Sequence, residues 1–419
     1  MKISAIAERT HLSPSTIRFY INQGLIFPEK INNQYHFSEK EIQLLSLINM
    51  WKEMGFSLKE IAHLSALKQN SNWVEAEDFS YYYEIIENRK TELQSELRET
   101  KRRLNLVNNE LQALHNNEFH HLQISTHKPH GLPISCLNLL TCPMCGSPLQ
   151  LKGAKIDYQF VYSGTLFCTC KYQASIHHGI IRCGQFSDHM LEEPDVYLSK
   201  NKRISNELSS LMQRTSNWLF SYLNLSTNRP QVIMETRLNA YFFLYPHLKK
   251  ISSGSTIILT DRFYEIVTLY KQYIERLDLD LNIIYIVNED NHLPIKTSSV
   301  DTLIDFGSTN NYNLYESEFY LPQFSSLLND SGRVLGAFFS LEHTSKSVSA
   351  LFHMFPRCHP SNYNVSFFKR SLDGCYEITN IEDMGFVTDS GNCNMVPFFQ
   401  AGEKLRIHSF ILKKSKHEK

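Results

Sequence analysis

The 419-residue chain has no long apolar run: nothing approaches the ~20 consecutive apolar residues of a membrane-spanning helix. It does not open on an apolar stretch followed by a small-residue cleavage site, so a cytoplasmic, membrane-free protein is expected. It lacks charge imbalance as well. Its 42 Lys and Arg against 43 Asp and Glu leave a net charge of −1, which excludes a global basic field as the means of holding nucleic acid. Residues 77–117 contain neither glycine nor proline, which excludes a loop there and favours one continuous helix. Cysteine, in contrast, is not scarce. Nine cysteines in a chain expected to be cytoplasmic point to metal ligation or free thiols in place of disulfides. A hydrophobic content of 42% supports real cores, and the length suggests two or three domains.

The first 64 residues carry a clear pattern. Ile3 to Thr10 (ISAIAERT) reads as a short helix with an apolar face, and His11-Leu12-Ser13 as a tight turn with Leu12 inward. Ser13 is a natural N-cap, and Pro14 sits where a missing N–H costs nothing, so a second helix starts there and stops at Gly24. A helix of that length, polar at its start, fits the major groove of DNA. Gly24-Leu25-Ile26-Phe27-Pro28 leads into a two-stranded wing from Glu29 to Phe37, turning at Asn32-Asn33. Ser38-Glu39-Lys40-Glu41 and Ser57-Leu58-Lys59-Glu60 are capping boxes that open two further helices.

In TIRFY at 16–20, GLIFP at 24–28, YHFSEKEI at 35–42 and MGFSLKEIAHL at 54–64, the chain resembles the MerR family of transcription regulators. The resemblance implies a winged helix-turn-helix over residues 1–75 that binds double-stranded promoter DNA. It also implies RNA polymerase as an indirect partner, served by untwisting an over-long promoter spacer. Candidate DNA contacts are Ser15, Thr16, Arg18 and Tyr20 on the second helix, and Asn33, Tyr35 and His36 on the wing. The resemblance assigns Arg18 and Tyr35 to phosphates, while Ile17 and Phe19 are expected in the core. His36 stands where the family usually has a basic residue. Residues 1–70 hold eight Lys/Arg and six Glu, so affinity must come from a few placed contacts, doubled by dimerisation.

Leu93, Leu97, Leu104, Val107, Leu111 and Leu114 recur at three-, four- and seven-residue intervals among charged neighbours. This predicts a coiled-coil helix over residues 76–117, about 60 Å long at 1.5 Å per residue. A helix packed on its own chain would show a wider apolar stripe than this narrow seam. The family resemblance implies a homodimer through an antiparallel coiled coil, placing two recognition helices on a pseudo-palindromic site. Tyr81-Tyr82-Tyr83 is expected to pack against the winged domain. Residues 118–135, with Pro129, Gly131, Pro133 and histidines of no regular spacing, read as a linker.

A second motif follows within residues 136–190. Cys142-Pro143-Met144-Cys145-Gly146 and Cys168-Thr169-Cys170-Lys171 form two close pairs that fit tetrahedral thiolate coordination of Zn²⁺. The ligand set is Cys142, Cys145, Cys168 and Cys170; since the second pair has one intervening residue, Cys183, His177 or His178 could replace one member. The segment resembles small zinc ribbons that precede methyltransferase domains in some rRNA guanine methyltransferases. A closed four-ligand site of that kind is structural.

From Ser199 to Leu223 one or two amphipathic helices are expected. Apolar runs then alternate with helical stretches: QVIMET (231–236), TIILTD (256–261), NIIYIVNED (282–290), VDTLIDFGS (300–308) and GRVLGAFFSL (332–341), with helices over RFYEIVTLYKQYIERL and LPQFSSLLNDS, and further strands from Cys375 to Leu412. This pattern predicts a doubly wound parallel α/β sheet. Residues 195–415 resemble the class I methyltransferase fold, whose cofactor is S-adenosylmethionine. The loop after the first strand should be glycine-rich for close backbone approach to that cofactor. Here it is Met234-Glu235-Thr236-Arg237-Leu238-Asn239-Ala240-Tyr241, without glycine, and Asp305-Phe306-Gly307-Ser308 replaces the Asn-Pro-Pro-Tyr type of catalytic tetrad. No catalytic residue carries over. Glu235, Asp261, Asp290 and Asp305, at the carboxyl ends of strands, are the candidate ligand contacts.

The expected architecture is therefore multidomain. It comprises a winged helix-turn-helix with a long dimerisation helix, a zinc ribbon, and a methyltransferase-like domain that modulates the regulator without catalysis, with a small-molecule effector as a candidate partner. The alternative is a working S-adenosylmethionine-dependent methyltransferase, acting on rRNA or a small molecule, fused to a DNA-binding domain. The missing glycines argue against it.

Overall fold

A computed structural model describes residues 1–70, 76–122, 130–184, 192–194, 204–223, 229–288, 290–359, 361–393 and 396–415. The chain divides into two compact units, Met1–Ile124 and Ser125–Lys419. The side chains of Leu114, His115, His120 and His121, and residues 123–129 of the expected linker, lie outside the described residues.

The first unit begins with helices α1 (Ile3–Thr10) and α2 (Pro14–Asn22). The Ser13 hydroxyl accepts the Thr16 N–H at 3.1 Å, so α2 starts where the capping chemistry placed it. Strands β1 (Glu29–Ile31) and β2 (Gln34–His36) pair antiparallel as the wing. Asn32 and Asn33 have φ of 48° and 65°, the left-handed pair that a two-residue hairpin turn needs and that asparagine tolerates. Helix α3 (Glu39–Glu53) opens on a complete capping box, with the Glu41 carboxylate accepting the Ser38 N–H at 2.7 Å. At the head of α4 (Leu58–Asn70) the Glu60 carboxylate likewise accepts the Ser57 N–H at 2.7 Å. Ile6, Ile17, Leu25, Ile26, Leu45, Ile48, Trp51, Ile61 and Leu64 form the core.

Helix α5 (Ala76–Leu122) runs for 47 residues. Its first turns are anchored: Trp51 Nε1 donates to the Tyr82 hydroxyl at 3.1 Å, and Arg89 Nε donates to the Met54 carbonyl at 2.9 Å. Tyr82 thus packs on the winged domain as expected, and Tyr81 meets His63, whereas Tyr83 is exposed. Farther along, Leu93, Leu97, Leu104, Val107 and Leu111 are 40–56% exposed, a row of large apolar side chains in solvent.

The second unit is built on one 12-stranded sheet. Its strands are β3 (Leu132–Pro133), β4 (Gln150–Asp157), β5 (Phe160–Phe167), β6 (Gln173–His177), β7 (Ile180–Cys183), β8 (Val232–Thr236), β9 (Thr256–Asp261), β10 (Asn282–Asn288), β11 (Val300–Phe306), β12 (Leu328–Ser340), β13 (Tyr376–Val387) and β14 (Leu405–Lys414). Between β7 and β8 lies α6 (Asn206–Tyr222); α7 (Tyr264–Ile274) follows β9, α8 (Ser308–Tyr312) follows β11, and α9 (Lys346–Met354) and α10 (Val365–Ser371) follow β12.

The order is β13-β14-β12-β11-β8-β9-β10, and β14 alone of these seven runs opposite in direction to the rest. Chain order reverses between β8 and β11, so the carboxyl ends of β8, β9 and β11 face the crevice where open α/β sheets place ligands. This is the doubly wound α/β sheet that the alternation of apolar runs predicted. β9 is buried along its length because both faces are covered: Ile257 and Leu259 point into one core and Ile258 into the other.

Two features differ from the sequence expectation. LPQFSSLLNDS is a single 3₁₀ stretch over Leu321–Leu327 and then strand, because Leu321, Phe324 and Leu327 must turn under the sheet while Leu328 already pairs with Val300. The ribbon, in turn, is not a separate body. β7 pairs in parallel with β10, and β6, β5 and β3 continue the same sheet, with β4 on β5. Leu132, Val161, Ile176 and Ile181 of the ribbon share a core with Met234, Ile258 and Ile284.

Candidate DNA interface, metal centre and strand-end site

On the first unit, Ser15 and Arg18 are exposed and Thr16 is half-buried along α2. On the wing, Asn33 is exposed while Tyr35 and His36 are half-buried, and Lys30 Nζ lies 5.7 Å from the Tyr35 ring centroid. Tyr20 does not join them. Its side chain is 2% exposed, inside the core, with a hydroxyl that has no hydrogen-bond partner, whereas Phe19 is 43% exposed. The correction follows from helical phase: with Ile17 inward, position 20 falls on the same face and position 19 does not. Phe19 stands beside Arg18 as an exposed apolar side chain. The interface sums a few placed groups on a weakly basic surface.

In the second unit, four sulfurs converge. Sγ atoms of Cys142, Cys145, Cys168 and Cys170 lie within 4.8 Å of one another, with Cys142–Cys170 at 3.4 Å and Cys145–Cys168 at 3.5 Å. A tetrahedral ion with bonds of ~2.3 Å to sulfur separates its ligands by roughly 3.8 Å, so the donor set fits such an ion. Two tight turns build it. Gly146 N–H donates to the Cys142 carbonyl at 2.9 Å and Lys171 N–H to the Cys168 carbonyl at 3.0 Å, with left-handed φ of 74° at Gly146 and 76° at Lys171. A Cys-x-Cys pair therefore reaches the site because Lys171 supplies the turn beyond it. The Ser147 hydroxyl and N–H, with Cys168, pull the Cys145 thiol down to about 6; Cys170, despite the Tyr172 N–H, is pushed up to about 12 by Cys142. Anionic sulfurs this close oppose one another, and a divalent cation is what lets all four ionise. The alternatives drop out: Cys183 is buried and directed to the Val287 carbonyl, and His177 and His178 are exposed outside the cluster.

The third site lies at the carboxyl ends of β8, β9 and β11. Glu235, Asp261 and Asp305 are 1–3% exposed. Glu235 accepts the N–H groups of Phe243 and Leu244 at 2.5 and 2.9 Å, and burial pushes it up to about 8. Asp261 accepts from the N–H of Asn239 and Phe263 at 2.8 and 2.9 Å; burial and then the Glu192 charge raise it to about 6. Asp305 accepts the Thr309 N–H at 2.8 Å and its hydroxyl at 2.5 Å, and burial raises it to about 6. Glu235 and Asp305 tie down the loops that follow their own strands, and Asp261 ties down the loops after both β8 and β9. Asp290 stands apart, bonded to His292 N–H and Asn288 Nδ2 at 3.0 Å, with a side chain 39% exposed.

The glycine-free loop is filled by its own side chains. Arg237 takes a left-handed φ of 54°, a conformation that glycine adopts without strain. Tyr241 stacks on Phe306 at 4.5 Å, and Leu238, Phe242 and Phe243 are buried. Arg237 Nε donates to Asn311 Oδ1 at 2.7 Å, and its terminal nitrogen to Glu192 at 2.5 Å. Burial works against the Arg237 charge, but Glu192 holds its pKa above the usual value. Arg262 reaches the same Glu192 oxygen at 3.2 Å, and Asn239 Nδ2 donates to the other at 3.0 Å. Glu192 and Arg262 were not foreseen from sequence, because partners 45 and 70 residues apart leave no local pattern.

The fold and sites thus define a winged helix-turn-helix unit followed by a unit in which a four-cysteine ribbon continues a doubly wound α/β sheet. The model of the MerR HTH family regulatory protein matches residues 1–68. The HTH-type transcriptional regulator HmrR of Rhizobium leguminosarum bv. viciae is 28% identical over 119 residues, 28% of this chain and 89% of that protein. An uncharacterized HTH-type transcriptional regulator of Pseudomonas aeruginosa is 30% identical over 104 residues, 24% of this chain and 79% of that protein. The chain belongs to the MerR family of transcriptional regulators. A geranyl diphosphate C-methyltransferase structure from Streptomyces coelicolor A3(2) covers 48% of this chain and 76% of its own at 12% identity and a TM-score of 0.36; the strand order stands independently of it.

Proposed function

We propose that this regulator binds a pseudo-palindromic promoter site as a homodimer paired through α5, and that its methyltransferase-like unit serves regulation without transferring methyl groups. The row of Leu93, Leu97, Leu104, Val107 and Leu111 in solvent on an otherwise charged helix carries the dimer reading. A stiff paired helix fixes the angle between two winged domains, and DNA must untwist or bend to meet both. That distortion is how RNA polymerase would be served indirectly. Ser15, Thr16, Arg18, Asn33, Tyr35 and His36 are the proposed contacts. Arg18→Ala should weaken operator binding across all sequences and flatten the log–log salt dependence by roughly one unit, as loss of one phosphate contact does. A change in base preference with an unaltered slope in fluorescence anisotropy titrations would assign Arg18 to base reading.

The four-cysteine centre is proposed to hold one structural Zn²⁺. Its four protein ligands leave no open position, so the metal's contribution is to clamp the turn that leads into β4 to the turn that joins β5 and β6.

The strand-end loop supports the non-catalytic reading. A methyl donor must sit in line with its acceptor at near-attack distance, held by close backbone approach. Here Arg237, Leu238 and Tyr241 occupy that loop, and Glu235 and Asp261 hold its backbone. Calorimetric titration of the full chain with S-adenosylmethionine should show no binding tighter than millimolar, about −4 kcal/mol. Micromolar binding, or label transfer abolished by Asp261→Ala, would make the protein an enzyme.

A further inference from the structure

We propose that a cleft at the amino ends of β11, β12 and β13 binds the phosphoryl dianion of a small molecule, with Arg333 and Lys413 as its cationic partners. The cleft lies at the opposite ends of the strands from Glu235, Asp261 and Asp305, and its volume is about 520 Å³. Thr302, Arg333 and Lys413 line it and stand in one row across the sheet, Thr302 opposite Arg333 and Arg333 opposite Lys413. They share the face on which Ile304, Leu335 and Ile411, two residues along each strand, enter the core. Two strand irregularities open on the same cleft. Leu328 pairs with Val300 but Arg333 with Thr302, so residues 329–332 of β12 loop out opposite Asp301. On β13, Ile378 pairs with Leu412 and Asn380 with Ile411, leaving Thr379 as an extra residue. Bulges forfeit ladder hydrogen bonds and re-aim side chains. Here Ser331, Thr379 and Asn380 all line the cleft as a result.

The charge in the cleft is unbalanced. Arg333 is half-buried, and among the described residues neither its side chain nor that of Lys413 joins an ion pair or a hydrogen bond. Burial works against the Arg333 charge, and Asp301 offsets this only in part. Asp301 is already engaged: one oxygen accepts the Val232 N–H at 2.8 Å, the other Asn329 Nδ2 at 2.9 Å, and the exposed Arg229 lies 3.8 Å away. Glu377 stands opposite Lys413 in register, but it is exposed and does not line the cleft. With Asp301 set against Arg229, two cations remain without a counter-charge. A phosphoryl group carries about −1.5 to −2 and offers three acceptor oxygens, whereas a carboxylate would neutralise one cation only. The guanidinium fork and the ammonium suit that group, and the hydroxyl and amide groups of the two bulges suit its remaining oxygens or a polar body. The volume falls in the range of small-molecule sites, with the Tyr222 ring available at the wall. This site is independent of the regulatory reading above.

The test is calorimetric titration of the full chain, at fixed ionic strength and near-neutral pH, with inorganic phosphate, adenosine 5′-monophosphate and adenosine. The two phosphates should bind and adenosine should not. Arg333→Met and Lys413→Gln should each weaken phosphate binding by about 10- to 100-fold, the loss of one charge-assisted contact, and the double variant should abolish it. Tighter binding of the nucleotide than of phosphate supports an organic body in the cleft, and equal binding supports free phosphate as the ligand. Adenosine binding as tightly as its monophosphate, phosphate binding that survives the double variant, or no binding of either phosphate would overturn the site. Lys413 is exposed, so Lys413→Gln should fold and keeps the test decisive if Arg333→Met does not.

Discussion

Protein carrying Cys142→Ser and Cys145→Ser is expected to purify without zinc, against about one zinc per chain for the wild type, and to be much less stable at its ribbon end. Structural zinc in small domains contributes apparent free energies of ~10–16 kcal/mol in isolated peptides, and here the loss is cushioned by the shared core. Leu132, Val161, Ile176 and Ile181 pack with strands of the α/β sheet, so the rest of the unit should stay folded. The parallel pairing of β7 on β10 makes the consequence visible. When the ribbon opens, β10 becomes a bare apolar edge, and aggregation should follow. Metal analysis, thiol titration and light scattering check this together: in the wild type, chelation should release four thiols along with the metal. Stoichiometric zinc in the double variant would refute the ligand set.

Leu104→Glu/Leu111→Glu is expected to give monomers whose operator affinity is lower by about 10²–10⁴-fold. Both positions are at least half exposed, at 56% and 50%, and glutamate suits a helix nearly as well as leucine, so the helix itself should persist. Joining two half-site readers makes the second contact intramolecular, and losing that link forfeits the avidity it supplied. A half-site reader with eight Lys/Arg and six Glu in its first 70 residues has little diffuse charge to fall back on. Sedimentation velocity and electrophoretic mobility shift at fixed salt read the two effects. Full-strength operator binding by a demonstrated monomer would remove α5 pairing from the mechanism.

Wherever a signal was local, it could be read from sequence. Ser13, Ser38 and Ser57 mark helix starts because a cap is made within three residues, and Asn32-Asn33 marks the wing because the turn is defined by two residues' own φ angles. The paired cysteines were legible for the same reason: each pair sits on one turn. β9, β10 and β11 announced themselves as continuous apolar runs, since a strand covered on both faces needs no polar alternation. On the short helix α2 it is Tyr20, not Phe19, that shares the inward face with Ile17, as a three-residue spacing on a helix requires.

By itself, then, the sequence determined the winged helix-turn-helix, the long helix with its apolar seam, the Cys pairs and the α/β alternation. Each of these arises from residues a few positions apart, where capping, turn and period are settled. Tertiary structure alone decided that the ribbon extends the sheet from β10, that Glu235, Asp261 and Asp305 face backbone N–H groups instead of open space, and that Glu192 closes on Arg237 and Arg262. Those outcomes depend on pairings between residues far apart in the chain and on the desolvation of charge. Both exist only once the two cores have closed, and no window of sequence contains them.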